Sequence, residues 1–212
     1  MISLAMLVLD PPLDRLAMLL DYVSPVVGQV VIVVDDRTAP EVCERIAGLG
    51  CQCADGSVTA MFRWRNDFAA ARNAALEYVH GDWILHLDPD ELPSADMLAF
   101  LGMVDRSEWH DETWQGATYE APRGYLFWTR GYVDGQRGSE VEADWHCRLF
   151  RASAGRWVKP VHEQVELEGR PESATRGTPW LPKAPRGAYL IHSKTSARQD
   201  ADLALYHSME AV

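Results

Sequence analysis

Up to Asp88, apolar runs of strand length alternate with segments whose apolar positions recur at helical spacing, and this alternation restricts the fold more than any other feature. Ile2 to Leu9 reads as a buried strand stopped by Asp10, Pro11 and Pro12. Leu13, Leu16, Leu20 and Val23 follow on one helical face and end before Pro25. Val30 to Val34 is a second apolar strand, closed by Asp35 and Asp36, and a helix from Pro40 to Gly50 follows it in the usual Pro-first, Gly-last manner. Cys51 to Ala54 reads as a short third strand. Asp67 then caps a helix carrying Phe68, Ala71, Ala75 and Val79 on one face, and the strand from Trp83 follows. Such a βαβ series predicts an α/β fold with a mainly parallel sheet flanked by helices on both faces.

The strand beginning at Trp83 runs directly into Asp88, Asp90 and Glu91, interrupted only by Pro89. Carboxylates this close repel one another, and apolar surroundings raise their pKa values without relieving the repulsion. A divalent cation relieves it, because hard oxygen ligands suit Mg²⁺ or Mn²⁺. Turn chemistry with an N-cap is the alternative, but Ser94 already offers a cap for the helix starting at Ala95. A calcium EF-hand loop fits poorly, since Leu92 stands where a ligand would be needed. Asp35/Asp36 and Asp88/Asp90/Glu91 both close strands of one parallel set, so they are expected on one sheet edge, where a nucleotide can lie across them. The residues thus point to a metal site that holds a phosphorylated substrate.

After residue 105 the helical periodicity fades and aromatics with glycines take over. Tyr119 to Ala121 and Tyr125 to Thr129 are expected as a hairpin, with further strands at Cys147 to Arg151, Gln164 to Leu167 and Tyr189 to His192. Gly169 to Gly187 reads as an exposed loop and Ala197 to Met209 as a last helix. The 212 residues suit one domain, 1–105 as a nucleotide-binding half and 106–212 as a half that receives the acceptor and completes the metal site, with a small antiparallel part there. A net charge of −11 without a Lys/Arg-rich block argues against a nucleic-acid partner. No apolar run is long enough for a transmembrane segment, no signal peptide is evident, and Cys43, Cys51, Cys53 and Cys147 form no Cys-x-x-Cys pair; a cytoplasmic location is expected.

Several pieces occur in one order: Val33 to Thr38, Trp64 to Asn73, Gly81 to Glu91, Arg148 to Arg151, and Val161 to Glu163. This ordered set resembles the GT-A fold glycosyltransferases of family 2, especially the branch with a DxDE motif and a later RLFR…HE segment. The resemblance implies a metal-dependent, inverting glycosyltransferase of hexosyl type. It would use a UDP- or GDP-type nucleotide sugar and pass the sugar to an unidentified acceptor, whether glycan, protein or small molecule. Asp35 and Asp36 match the acids that meet base and ribose, and Arg72 matches a residue near the donor's nucleotide moiety. Asp88 and Asp90 match the motif that fastens the diphosphate through Mn²⁺ or Mg²⁺, and His162 a late residue that completes the metal site. His192 is a reserve ligand. The loops Leu9 to Pro12 and Asp36 to Thr38 depart from the commoner patterns and bear on the donor's base.

Direct displacement needs one base on the side away from the leaving diphosphate. Asp144 and His146 are the nearest candidates, then Glu163 and Glu91. Asp144 has the usual residue type and His146 lies nearer the expected position; two residues apart in an extended segment, both would face one way. Three other readings compete. A phosphatase using Asp-x-Asp would carry Thr or Val where Leu92 stands, and a nucleotidyltransferase needs a glycine-rich N-terminal loop that is missing. A degenerate GT-A domain would bind a nucleotide sugar or a partner without turnover.

Overall fold

The structure, a computed structural model, describes residues 1–50, 56–106, 112–114, 117–119, 121–133 and 140–194. In chain order the elements begin with β1 (Ile2–Val8), α1 (Leu13–Val23), a short 3₁₀ turn (Ser24–Val26), β2 (Gln29–Asp35), α2 (Pro40–Gly50) and β3 (Val58–Phe62). Next come α3 (Phe68–Leu76), β4 (Trp83–His86), β5 (Glu91–Pro93), α4 (Ala95–Arg106), β6 (Glu112–Trp114) and β7 (Ala117–Tyr119). The remainder is β8 (Gly124–Val133), β9 (Glu140–Arg151), β10 (Gly155–Val158), β11 (Gln164–Leu167), β12 (Arg170–Pro171), α5 (Glu172–Thr175) and β13 (Tyr189–Lys194).

One sheet of eight strands organises the molecule, in the order β3-β2-β1-β4-β9-β8-β13-β5. The first four are parallel, β13 is parallel to β8, and β9 and β5 run against their neighbours. The interior parallel strands β1, β2 and β4 are buried on both faces, as every residue of β2 shows, which is why they read as nearly continuous apolar runs; β3, at the sheet edge, is mostly not buried. Leu16, Leu19 and Leu20 of α1, Ile46 of α2, and Met97 and Leu101 of α4 cover one face. Ala69, Ala71 and Ala75 of α3, with Trp157, Val165, Trp180 and Leu181, cover the other. As expected, β2 and β4 end on the same sheet edge, so Asp35 and the Asp88 turn share it. Asp67 accepts from the Ala70 amide at 2.8 Å and the Ser94 hydroxyl from the Met97 amide at 3.1 Å, so both expected helix caps form. No helix among the described residues is long and apolar enough to cross a membrane.

Four expectations need correction or fall outside the description. The third strand is Val58–Phe62; Cys51 to Ala54 lie outside the described residues, as does the stretch Ala197 to Met209. Tyr119 pairs with Glu112 rather than with the strand at Tyr125. The Tyr125 strand is instead interior to the large sheet, bonded to β9 on one side and β13 on the other, so both its edges are taken. Gly169 to Gly187 is no exposed loop: Glu172, Thr175, Trp180, Leu181 and Ala184 are buried there, and Pro and Gly merely shape a folded-back segment.

The strand β9 carries an irregularity with consequences for the site. Tyr125 pairs with Leu149 but Leu126 pairs with Cys147, so Arg148 is an extra residue, a β-bulge. Cys147 and Phe150 therefore face the α3 side together while Leu149 faces the other, and Arg148 drops out of the regular alternation.

Candidate functional site

The acidic motif is a closed turn. The Glu91 amide donates to the Asp88 carbonyl at 3.0 Å, and the Glu91 carboxylate accepts from the Asp88 amide at 2.9 Å. Pro89 occupies the second turn position, where its fixed φ is favourable. The reciprocal bonds turn Glu91 inward, with no side-chain exposure, and leave Asp90 at the partly exposed tip.

The three carboxylates thereby take different partners. Asp88 Oδ1 accepts from Arg72 Nη1 at 3.0 Å, and Arg148 Nη1 stands 3.8 Å from Asp88 Oδ2. Glu91 is bonded by Arg148 Nη2. Asp90 Oδ2 lies 3.2 Å from His192 Nε2 at the end of β13. Arg72 is itself locked: Nε donates to Glu163 Oε1 at 2.8 Å, Nη1 also contacts His86 Nε2, and its guanidinium lies 5.1 Å from the Trp157 ring centre. His86 Nδ1 faces the Ala5 carbonyl at 3.2 Å, so the ring carries its proton on Nδ1 and accepts from Arg72 through Nε2. Beneath the turn thus lies a buried lattice of two guanidinium groups, three carboxylates and one neutral imidazole.

The charge states follow from burial and neighbours. Burial would raise Asp88, but Arg72 foremost, then His86 and Arg148, hold it well below the usual carboxylate range. Burial raises Glu91, with Arg148 opposing and Asp88 adding to the rise. Burial and the adjacent Arg72 push His86 down to about 4, and burial with Arg148 does the same for His146, also to about 4. Both imidazoles start from 6.5, so the unfolded chain takes up these protons first as the pH falls. Stability from the two groups is therefore complete above pH 6.5 and is lost on acidification toward 4. Denaturant midpoints should fall between pH 7 and 5, and His86→Gln, a neutral acceptor that does not titrate, should roughly halve that slope. An unchanged slope in the variant would contradict the assignment.

The residues singled out from sequence are distributed as follows. Asp35, Asp36, Asp88 and Asp90 lie on the shared edge. Asp35 is almost wholly buried and bound by Arg37, and Asp36 Oδ1 accepts from the Trp64 amide at 3.0 Å. Glu163 sits against Arg72 and Glu91 against Arg148, and both carboxylates are largely buried. Asp144 is exposed, 3.2 Å from Arg176 Nη1; burial would raise it, but the Trp145 amide and Arg176 hold it lower. His146 pairs with Phe127 across the strands. His162 is exposed in a turn with φ of +51°, and no three His, Cys, Asp or Glu side chains among the described residues converge as a ready metal site. The reserve ligand His192 is the imidazole beside Asp90. Sequence reasoning gave no role to His86 and did not single out Arg148 or Arg176. His86 could have been found from its spacing of two from Asp88 beyond a buried strand. A groove of about 380 Å³ between β3 and α3, lined by Val33, Phe62, Asn73 and Tyr78, lies apart from these carboxylates.

The structure is similar to that of S. aureus TarS 1-349 in complex with UDP-GlcNAc, with a TM-score of 0.58 at 14% identity over 91% of this chain and 58% of that one. It also resembles S. aureus TarS 1-349 in complex with UDP, at 0.54 and 12% over 98% and 64%, and S. aureus TarS, at 0.57 and 11% over 91% and 36%. The chain thus spans less than two thirds of the length of these structures. At such identities the likeness establishes the fold, which is GT-A-like. No curated protein matches the sequence. The family model "Glycosyl transferase family 2" matches residues 19–154, a stretch holding α3, the acidic turn, the Arg148 bulge and most of the sheet. The chain belongs to glycosyl transferase family 2.

Proposed function

We propose that this protein transfers a sugar, with inversion, from a UDP- or GDP-type nucleotide sugar to a hydroxyl or other nucleophile of an acceptor, assisted by Mn²⁺ or Mg²⁺. The observation that carries the reading is the division of labour in the acidic turn. Asp88 and Glu91 are neutralised by arginines, whereas Asp90 stands at the crevice beside His192. One carboxylate and one imidazole fit a cation that completes its shell with diphosphate oxygens and water, and nitrogen with oxygen suits Mn²⁺ better than Mg²⁺. Asp90 and His192 would hold it, Asp90 being shared with the Asp88, Asp90 and His162 set expected from sequence. When bound it offsets the negative charge of the departing diphosphate. Arg72, although it lies under the turn, orients Asp88 rather than reaching for the donor, since its donors are engaged by Glu163, Asp88 and His86. Asp144 is the group that takes the acceptor's proton, being exposed and kept ionised by Arg176.

Asp90→Asn should keep the fold and thermal midpoint yet abolish Mn²⁺-dependent binding of UDP and GDP, and His192→Ala should weaken it. Calorimetric titration of each nucleotide with and without Mn²⁺ checks this. Parental affinity in Asp90→Asn would remove the site. Binding without any release of nucleoside diphosphate from a panel of nucleotide sugars would favour a binding module over an enzyme.

A further inference from the structure

At the carboxyl end of β2 a second preorganised cluster stands beside the acidic turn. Asp35 Oδ1 accepts from the Arg37 amide at 2.9 Å and from Arg37 Nε at 2.8 Å, and Asp35 Oδ2 accepts from Arg37 Nη2 at 2.6 Å. The carboxylate is 3% exposed while the arginine is 44% exposed. The guanidinium lies 4.7 Å from the Trp64 ring centre. Trp64 is fixed in turn: its amide donates to Asp36, its indole N–H to Asn66 Oδ1 at 2.9 Å, and its ring meets Phe68 edge-on at 4.9 Å. A flat, partly exposed cation is thus nailed to a buried acid and laid on an aromatic shelf.

We propose that Arg37 reads the base of the donor nucleotide and favours guanine over uracil, an inference that rests on the nucleotide-sugar reading above. Nucleotides of open α/β sheets lie in the crevice at the carboxyl ends of the strands. β1 alone separates β2 from β4, so the shelf and the acidic turn are about 10 Å apart, a span that a ribose and two phosphates cover. The Nε side of the guanidinium is spent on Asp35, and no hydrogen bond to another described residue uses Nη1. The outer fork, Nη1 with the second N–H of Nη2, offers two parallel donors. Adjacent acceptors in one plane match them, and guanine presents O6 and N7 in that way. A base so held joins the layer that Trp64 already supports. Uracil has no adjacent acceptor pair, and its N3–H would need an acceptor where Asp35 is fully engaged by Arg37. Arg37 is therefore a specificity determinant set in the loop that departs from the common family pattern.

The test is titration of GDP, UDP and CDP with Mn²⁺ into the full chain and into Arg37→Lys and Arg37→Ala. Lysine keeps a cation for Asp35 but has no fork, so it guards against loss of the fold, which thermal denaturation reports separately. The parent should bind GDP about 5- to 100-fold more tightly than UDP, the range expected of one bidentate contact, and CDP, whose O2 and N3 also form an adjacent acceptor pair, should bind more tightly than UDP as well. Both variants should bring the three nucleotides to near equality. Tighter binding of UDP by the parent, or a guanine preference over uracil that survives in Arg37→Lys, would overturn the proposal while leaving the transferase reading intact. Failure of every nucleotide to bind with Mn²⁺ would overturn both.

Discussion

Arg148→Met should destabilise the protein by about 3–5 kcal/mol, the cost of leaving a buried charge without its partner. Arg148 is the guanidinium bonded to Glu91, whose side chain has no exposure, and it also stands 3.8 Å from Asp88. Methionine matches the stem in length and keeps the packing, so the loss reports the charge rather than a cavity. For a chain of this size the loss corresponds to a fall in melting temperature of about 6–20 °C. The double variant Arg148→Met/Glu91→Gln should recover part of it, because the second change removes the stranded carboxylate. Equilibrium denaturation of both at pH 7 decides the matter. A single variant as stable as the parent would mean that Glu91 is protonated in the fold and needs no counter-charge.

Asp144→Asn should lower turnover by about 10²–10⁴-fold, the usual contribution of a general base. Donor affinity should be nearly unchanged, because a base that serves the acceptor does not touch the diphosphate. Its exposure, and its pairing with Arg176 instead of with the Asp88 lattice, set it apart from the other candidates. Glu163→Gln should act differently, loosening Arg72 and lowering stability before it touches the rate. His146→Gln should cost less than Asp144→Asn, since Asp144 is exposed and His146 only partly so. Single-turnover release of nucleoside diphosphate, to acceptor or to water, measured alongside donor titration, separates the three. If Asp144→Asn keeps the parental rate and His146→Gln loses it, the base is the imidazole.

The fold was largely readable because its first half obeys local rules. Strands β1, β2 and β4 are mostly apolar, α1 and α2 have clear apolar faces, and Asp67 and Ser94 mark helix starts. The second half was less legible for a physical reason. Its strands pair with partners distant in sequence, such as Leu190 with Pro93 and with Thr129, and no local pattern records such a choice. The segment 169–187 misled through its composition, since Pro and Gly shape a buried fold-back as readily as an exposed loop. At the site, the carboxylates announced themselves but their partners did not. Nothing in the spacing says that Arg72 meets Glu163 across 91 residues, or that His192 stands beside Asp90.

The extra residue in β9 also says how this strand can change length. Side chains along a strand repeat every two residues, so one added residue is worth half a period. Here one half period is taken up at Arg148, which sets the sides that Cys147 and His146 face, and a second register shift falls farther along, opposite Gly131 and Tyr132. Removing Arg148 outright would keep Cys147 and His146 on their present sides and cost the cation alone. Keeping Arg148 but drawing it into the ladder would turn the stretch over and carry His146 to the α3 side, although no residue had been altered. Chain length and facing direction are therefore independent variables at this position, and a homologous strand one residue shorter can present the same surface.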